Sequence, residues 1–413
     1  AQGSFLELAQ GENDDETIIN ICLFWKSIAE CELDKKAELR IIDQAANILL
    51  PLLFQISTRI PTTSCDNVED YFPHIAAADA MQSIVKASPE QSAPVLLHLL
   101  QEYSGDKEPD HFGVREAALN CLNFLIQFSD CSSFLLQSLD LIYIGLHDVS
   151  PRVKQVSTTC VHAILNSILT NPESCPFLEL IPKMGQKIVM LATVIIDLVV
   201  NGGDVNLQTT AALTTADFIR FPGFPNSGKA IILLLQSAVS PSTQDSLGLS
   251  QAAFSALQSC VTNCPIQLLP IILNQILEIL QKALEAHSDF WIINQLCYVL
   301  QSEFIRLKGQ IDEKTVQISW VILEGIFTSY PDEAISLLIP LATLARASGP
   351  LFQQYLNTTA EFISNGLKEE RDDAIQSASL GVLLLSDSFD LSPFSVGFLG
   401  LLTAALSNPE VSL

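Results

Sequence analysis

Asp148-Val-Ser-Pro-Arg-Val-Lys154 lies between an apolar run ending Ile144-Gly-Leu146 and another beginning at Val156. Asp148 and Ser150 suit the mouth of a helix, where side-chain oxygens accept from backbone N–H groups that have no partner in the first turn. Pro151 suits the first helical position, because its missing N–H costs no hydrogen bond there. Val153 is expected to face inward. Arg152 and Lys154 flank it and are placed to pair with acidic groups of neighbouring turns. Val114-Arg-Glu-Ala-Ala-Leu119 repeats this pattern one unit earlier. Two copies of a capped turn, spaced by about 40 residues, point to stacked helix pairs of the HEAT kind.

Working outward, apolar residues recur at helical spacing almost everywhere, and strand-like alternation is scarce. The runs pair up. Leu39 to Ser57 precedes His74 to Ala87, and Pro89 to Tyr103 precedes Gly113 to Phe128. Ser132 to Leu146 precedes Pro151 to Leu169, and Leu180 to Val200 precedes Val205 to Ile219. Asn226 to Ala238 pairs with Gln244 to Val261, and Pro265 to Ala286 with Phe290 to Leu307. Asp312 to Thr328 pairs with Asp332 to Ala347, and Leu351 to Leu367 with Asp372 to Ser386. Pro89, Pro151, Pro265, Pro331 and Pro350 are each expected to open a helix. The fold class is therefore all-α, an α-solenoid of about nine HEAT repeats running as one body through residues 1–413. A compact helical bundle is the competing architecture, but it would need no repeating stride. Unusually long connections fall at 58–73 and 170–181.

Composition narrows the function. The chain carries 46 acidic and 21 basic residues, a formal net charge of −25. Such a surface repels nucleic acid and anionic membranes and draws basic partners. Ile188 to Val200 is too short to cross a bilayer and contains Asp197. The ten cysteines show no CxxC, and Cys22, Cys121, Cys160 and Cys297 sit in apolar runs, as buried thiols in a reducing compartment would. The chain is expected to be soluble and intracellular, and to be part of a longer solenoid.

No motif for phosphate cradling, nucleophilic hydrolysis or HExxH metal binding occurs. The six histidines, His74, His98, His111, His147, His162 and His287, are scattered and are expected to be satisfied or solvent-facing. No enzyme activity, metal or cofactor is expected. Trp25 is expected in a helix-pair seam. The stretch with binding chemistry is Asp66-Asn-Val-Glu-Asp-Tyr-Phe72, in the long loop at 58–73. There Asp66, Glu69, Asp70, Tyr71 and Phe72 could grip Lys and Arg side chains by ion pairing and cation–π contact, with Phe112 and Glu116 nearby.

These residues, taken in order, resemble the importin-β family of nuclear transport receptors. Leu23-Phe-Trp-Lys-Ser-Ile-Ala-Glu-Cys-Glu-Leu-Asp34 resembles the family's E-F-W helix end. Ala45-Ala-Asn-Ile-Leu-Leu-Pro-Leu-Leu53 is similar to its A-L-x-x-L-V-P-I-L helix. The loop holding Asp66, Glu69 and Asp70 stands where the family carries an acidic loop. His111-Phe-Gly-Val-Arg-Glu-Ala-Ala-Leu119 resembles D-W-R-x-R-E-A-A-V. Phe112 and Thr159 stand where the family has inner-helix tryptophans. The resemblance implies a carrier in cytoplasm, nucleus and nuclear pore. It would bind basic cargo or the importin-β-binding helix of an importin-α adaptor on a concave acidic face, dock the FG repeats of nucleoporins, and release cargo to Ran-GTP. A structural HEAT scaffold, in a phosphatase or coat complex, is the alternative function.

Overall fold

The computed structural model describes residues 15–35, 40–60, 72–129, 135–170, 181–220, 227–240, 247–369 and 371–407. Among them there is no strand; the chain is helix and short turn. It divides into two compact units, Ala1–Phe218 and Ile219–Leu413.

Unit 1 holds α1 (Asp15–Lys35), α2 (Ile41–Ser57), α3 (Pro73–Ala87), α4 (Pro89–Tyr103), α5 (Phe112–Phe128), α6 (Leu135–Leu146), α7 (Pro151–Thr170), α8 (Ile181–Asn201) and nearly all of α9 (Val205–Arg220). Paired helices pack on each other: α2 on α3, α4 on α5 and α6 on α7. Second helices also pack on second helices, α1 on α3 and α5 on α7, while first helices follow suit, α2 on α4 and α6 on α8. The result is two helix layers, with the apolar faces between them. Cys22, Leu50, Leu53, Ala77, Ile84, Leu96, Leu122, Ile142, Cys160, Ile195 and Ala212 are all inaccessible or nearly so. Each large aliphatic side chain buried this way contributes about 2 kcal/mol.

Unit 2 repeats the plan with α10 (Ser227–Ala238), α11 (Leu247–Asn263), α12 (Leu269–Glu285), α13 (Phe290–Arg306), α14 (Glu313–Ser329), α15 (Leu338–Ser348), α16 (Leu356–Lys368), α17 (Asp372–Ser386) and α18 (Ser395–Ser407). Here α11, α13, α15 and α17 form the second-helix layer in succession. The helices of all eight expected pairs are present. α1 joins the second-helix layer through α3, and α18 the first-helix layer through α16, so one further helix stands at each end of the eight.

Local chemistry explains the boundaries. Pro73, Pro89 and Pro151 open α3, α4 and α7. Asp289 and Asp312 cap α13 and α14, accepting from the backbone N–H of Trp291 at 2.9 Å and of Thr315 at 2.7 Å. Pro265, Pro331 and Pro350 behave differently from the expectation. Pro265 precedes a 3-10 turn, Ile266–Leu268, before α12 begins. Pro331 precedes another, Ala334–Leu337, so α15 starts at Leu338 rather than Asp332. Pro350 lies inside a 3-10 segment, Gly349–Tyr355, whose Phe352 is fully buried and meets Trp320 edge-on at 5.6 Å. Burying that ring, with Tyr355 stacked on Trp320 at 4.8 Å, favours the tighter turn over a continuous helix.

Among the described residues one run, Ala334–Lys368, is long and apolar enough by composition to cross a membrane, but 67% of its apolar window is buried within the fold and it is broken into two α-helices and two 3-10 segments. The described cysteines are free thiols, and Cys22, Cys121, Cys160, Cys260, Cys264 and Cys297 are buried. Burial pushes the Cys22 thiol up to about 12.

Candidate functional site

The long loop leaves α2 through Thr58–Ile60 and rejoins the chain at Phe72. Asp66, Glu69, Asp70 and Tyr71 lie outside the described residues. Its two roots, however, place Phe72, Phe112 and Glu116. Gly113, beside Phe112, is buried against the outgoing root: a Cβ there would stand 2.4 Å from the Thr58 carbonyl oxygen. The first turn of α5 thus sits directly on the end of α2, a close approach only glycine permits. Phe72 precedes α3 in an extended conformation and stacks on His74, ring centroids 5.8 Å apart. Phe112 is half-buried at the start of α5.

Glu116 is not a free carboxylate. Arg152 on α7 holds it in a two-pronged ion pair, Nε to Oε2 at 2.7 Å and Nη2 to Oε1 at 2.9 Å. The preceding residue reaches the other way. Arg115 donates to both oxygens of Asp148, at 2.7 and 3.2 Å, and to the Glu108 carbonyl. Asp148 also accepts from the Ser150 N–H at 2.9 Å. Burial pushes the Asp148 carboxyl up, but these donors and the charges of Arg115 and Lys154 outweigh it and hold it below the ordinary range. So the two turns found in the sequence clasp each other, each arginine bound to the other turn's carboxylate. Val153 between them is buried, as expected.

The histidines divide. His162 on α7 bonds Asp217 on α9 at 2.6 Å, which raises its pKa against the opposing effect of burial. His111 bonds Asp106 at 2.9 Å, and His147 bonds the Tyr143 carbonyl at 2.9 Å. His74 departs from expectation: it is neither satisfied nor solvent-facing, since it is buried and neither ring nitrogen has a hydrogen-bond partner. Burial lowers its pKa, the Arg152 charge lowers it further and Glu116 acts against both, so the ring is held neutral beside the Glu116–Arg152 pair. Nothing in its own segment signals this; it follows from α3 and α5 lying side by side. Trp25 is half-buried rather than sealed in a seam, and stands edge-on to the exposed Phe24 at 5.5 Å.

Charge is unevenly placed. On α1, Asp15, Glu16, Glu30, Glu32 and Asp34 outnumber Lys26 and Lys35. In unit 2 the second-helix layer carries few charges: α11 has none, α13 has the buried Glu303 and Arg306, α15 has Arg346, and α17 has Asp372 and Asp373 in its first turn. The exposed positions of α11 include amides and hydroxyls such as Gln251, Ser255 and Thr262, while α13 exposes Ile305 and α17 exposes Leu380 and Leu383.

The described site thus comprises the loop roots, a paired carboxylate, a neutral buried histidine and two exposed or half-exposed rings. It offers a surface for contact and holds no grouping of nucleophile and base. No family model and no curated protein matches the chain by sequence. Solved structures do match its fold. Yeast importin-β, Kap95p, aligns with a TM-score of 0.76 at 15% identity, covering 98% of this chain and 49% of that one. Importin-β crystallised from polyethylene glycol aligns at 0.77 and 17% identity, covering 98% of this chain and 51% of that one. A Kap95–Nup1 complex aligns at 0.73 and 17% identity, covering 97% and 49%. A Kap95p structure with RanGDP aligns at 0.72 and 15% identity, covering 99% and 50%. The chain spans about half the length of these proteins, and across that span its fold is the HEAT-repeat solenoid of importin-β.

Proposed function

We propose that this chain is part of a nuclear transport receptor of the importin-β type, a binding protein rather than an enzyme, moving between cytoplasm and nucleus through the pore. The observation that carries this is the fold: nearly the whole chain superposes on half of Kap95p, a protein seen in complex with Nup1 and with RanGDP. Charge adds support, because a net −25 chain with its acid gathered on α1 and at the 58–73 loop suits a basic cargo or a basic adaptor helix. Asp66, Glu69, Asp70, Tyr71 and Phe72 are the proposed contacts, with Phe112 at the loop's base. Glu116 contributes through Arg152, which it fixes in place, rather than as an open carboxylate. Nucleoporin FG repeats have a fitting surface on the first-helix layer of unit 2, where the adjacent helices α12 and α14 expose Ile271, Ile318 and Val321. Ran-GTP, as in the family, would displace the cargo.

The test is fluorescence anisotropy with a labelled Lys/Arg-rich helical peptide. Binding should be tight at 50 mM salt and weaken at least tenfold by 200 mM, because several ion pairs are screened together. Reversing Asp66, Glu69 and Asp70 to Lys should weaken it about 100-fold, through lost attraction and new repulsion. Affinity indifferent to salt and to the triple reversal would refute the proposal.

A further inference from the structure

In unit 2, α13, α15 and α17 enclose an open cavity of about 200 Å³ near their C-terminal ends. Its floor is apolar, formed by Phe304, Ala347, Leu384 and the aliphatic part of Thr343. Phe304 is fully buried and Ala347 is 4% exposed. Ile305 on α13 lines the mouth and is 61% exposed. Two cations stand on its rim, Lys308 and Arg346. Arg346 pairs with Asp387 at 3.0 Å. Lys308 has no carboxylate partner among the described residues, so its charge is open to a ligand.

Lys308 is held there by the backbone. The next residue, Gly309, turns with φ of 75°, a conformation that side chains disfavour, and its N–H donates to the Ala347 carbonyl oxygen at 2.9 Å. That bond fixes the end of α13 to the end of α15 and sets Lys308 above the cavity floor. Gln301, on the same wall, has an amide with no hydrogen-bond partner among the described residues.

From this we infer a second binding site that goes beyond the basic-ligand surface: a pocket for a peptide segment presenting one large apolar side chain beside a carboxylate. The volume suits a single aromatic or branched side chain and is below the range of small-molecule pockets, about 300 Å³ upward. Lys308 pairs with the carboxylate, Gln301 bonds the peptide backbone, and Ile305 covers the flank. The chain's overall negative charge does not forbid this. At physiological salt, charges more than about 8 Å away are largely screened, so the local cation decides.

The experiment uses the whole chain and three labelled synthetic peptides at physiological salt, followed by anisotropy. The first has a Phe between two Asp residues, the second replaces both Asp by Asn, and the third replaces Phe by Ala. Only the first should bind, with a dissociation constant below about 1 mM. Lys308→Glu should weaken it at least tenfold, Lys308→Arg should retain it, and Ile305→Asp should abolish it. Circular dichroism checks that each variant is folded. None of these changes should alter affinity for the Lys/Arg-rich peptide, so the two sites fail or succeed independently. The inference is overturned if the first peptide does not bind, if its Asn counterpart binds as well, or if Lys308→Glu leaves its affinity within twofold.

Discussion

Among the described residues, Glu303 is a carboxyl buried without compensation. It is fully inaccessible, and neither carboxylate oxygen has a hydrogen bond. Burial holds its pKa well above the ordinary 4.5. A carboxyl whose folded pKa is raised supports folding below its unfolded pKa and loses that support as pH rises through the folded value. Stability of unit 2 should therefore fall as pH increases above about 4.5. Glu303→Leu should remove that slope and raise stability at pH 7 by about 1–3 kcal/mol, the usual cost of a buried unsatisfied polar group. Unfolding followed through Trp291 and Trp320 at pH 5 and pH 7 checks this, and an unchanged slope would refute it. His162 gives the same sign from a different cause. Its hydrogen bond to Asp217 raises its pKa, so the support it lends is complete below about 6.5 and disappears as pH rises through the raised value. A proton NMR titration should place its midpoint above 6.5, and Asp217→Asn should lower it.

At the scale of elements, the paired turns of α5 and α7 are the most specific contact found. Arg115 and Asp148 have side chains only 12% and 10% exposed, so screening is weak there. Deleting one partner leaves the other charge poorly solvated. Asp148→Ala should cost about 2–3 kcal/mol, and adding Arg115→Leu should recover part of it, since the stranded cation is then gone. Strictly additive losses in the double variant would show that the clasp has no coupling. Arg152 and Glu116 are more exposed on the arginine side, 39% against 13%, so their pair should couple by less, about 0.5–1 kcal/mol. The Asp148 carboxyl is held low, so its contribution is present at neutral pH and is lost as pH falls through that depressed value.

At the scale of the molecule, helix pairs touch chiefly their neighbours in sequence, so cooperativity should be limited. Urea unfolding should not be a single transition. Trp25 reports on unit 1, while Trp291 and Trp320 report on unit 2. In a Trp25→Phe variant, the fluorescence midpoint should differ from the midpoint of helix loss measured by circular dichroism. Coincident curves would mean that the units unfold as one.

Much of this architecture was legible in the chain itself. The helices of eight pairs, and most of their boundaries to within a few residues, depend on short-range rules: apolar spacing, proline geometry and capping by Asp. The turn at Asp148 carried its own signature for the same reason. The resemblance to importin-β lay in ordered local motifs of this kind. What the sequence could not express depends on which helices come to lie side by side. Arg115 meets Asp148 33 residues on, Arg152 meets Glu116 36 residues back, and His162 meets Asp217 across 55. Whether Glu116 is open or bound, whether His74 is solvated or sealed, and whether Lys308 overhangs a cavity are all decided by stacking between helices. A residue's ionic partner and its share of water are properties of the packed neighbourhood, and only the tertiary structure assembles that neighbourhood.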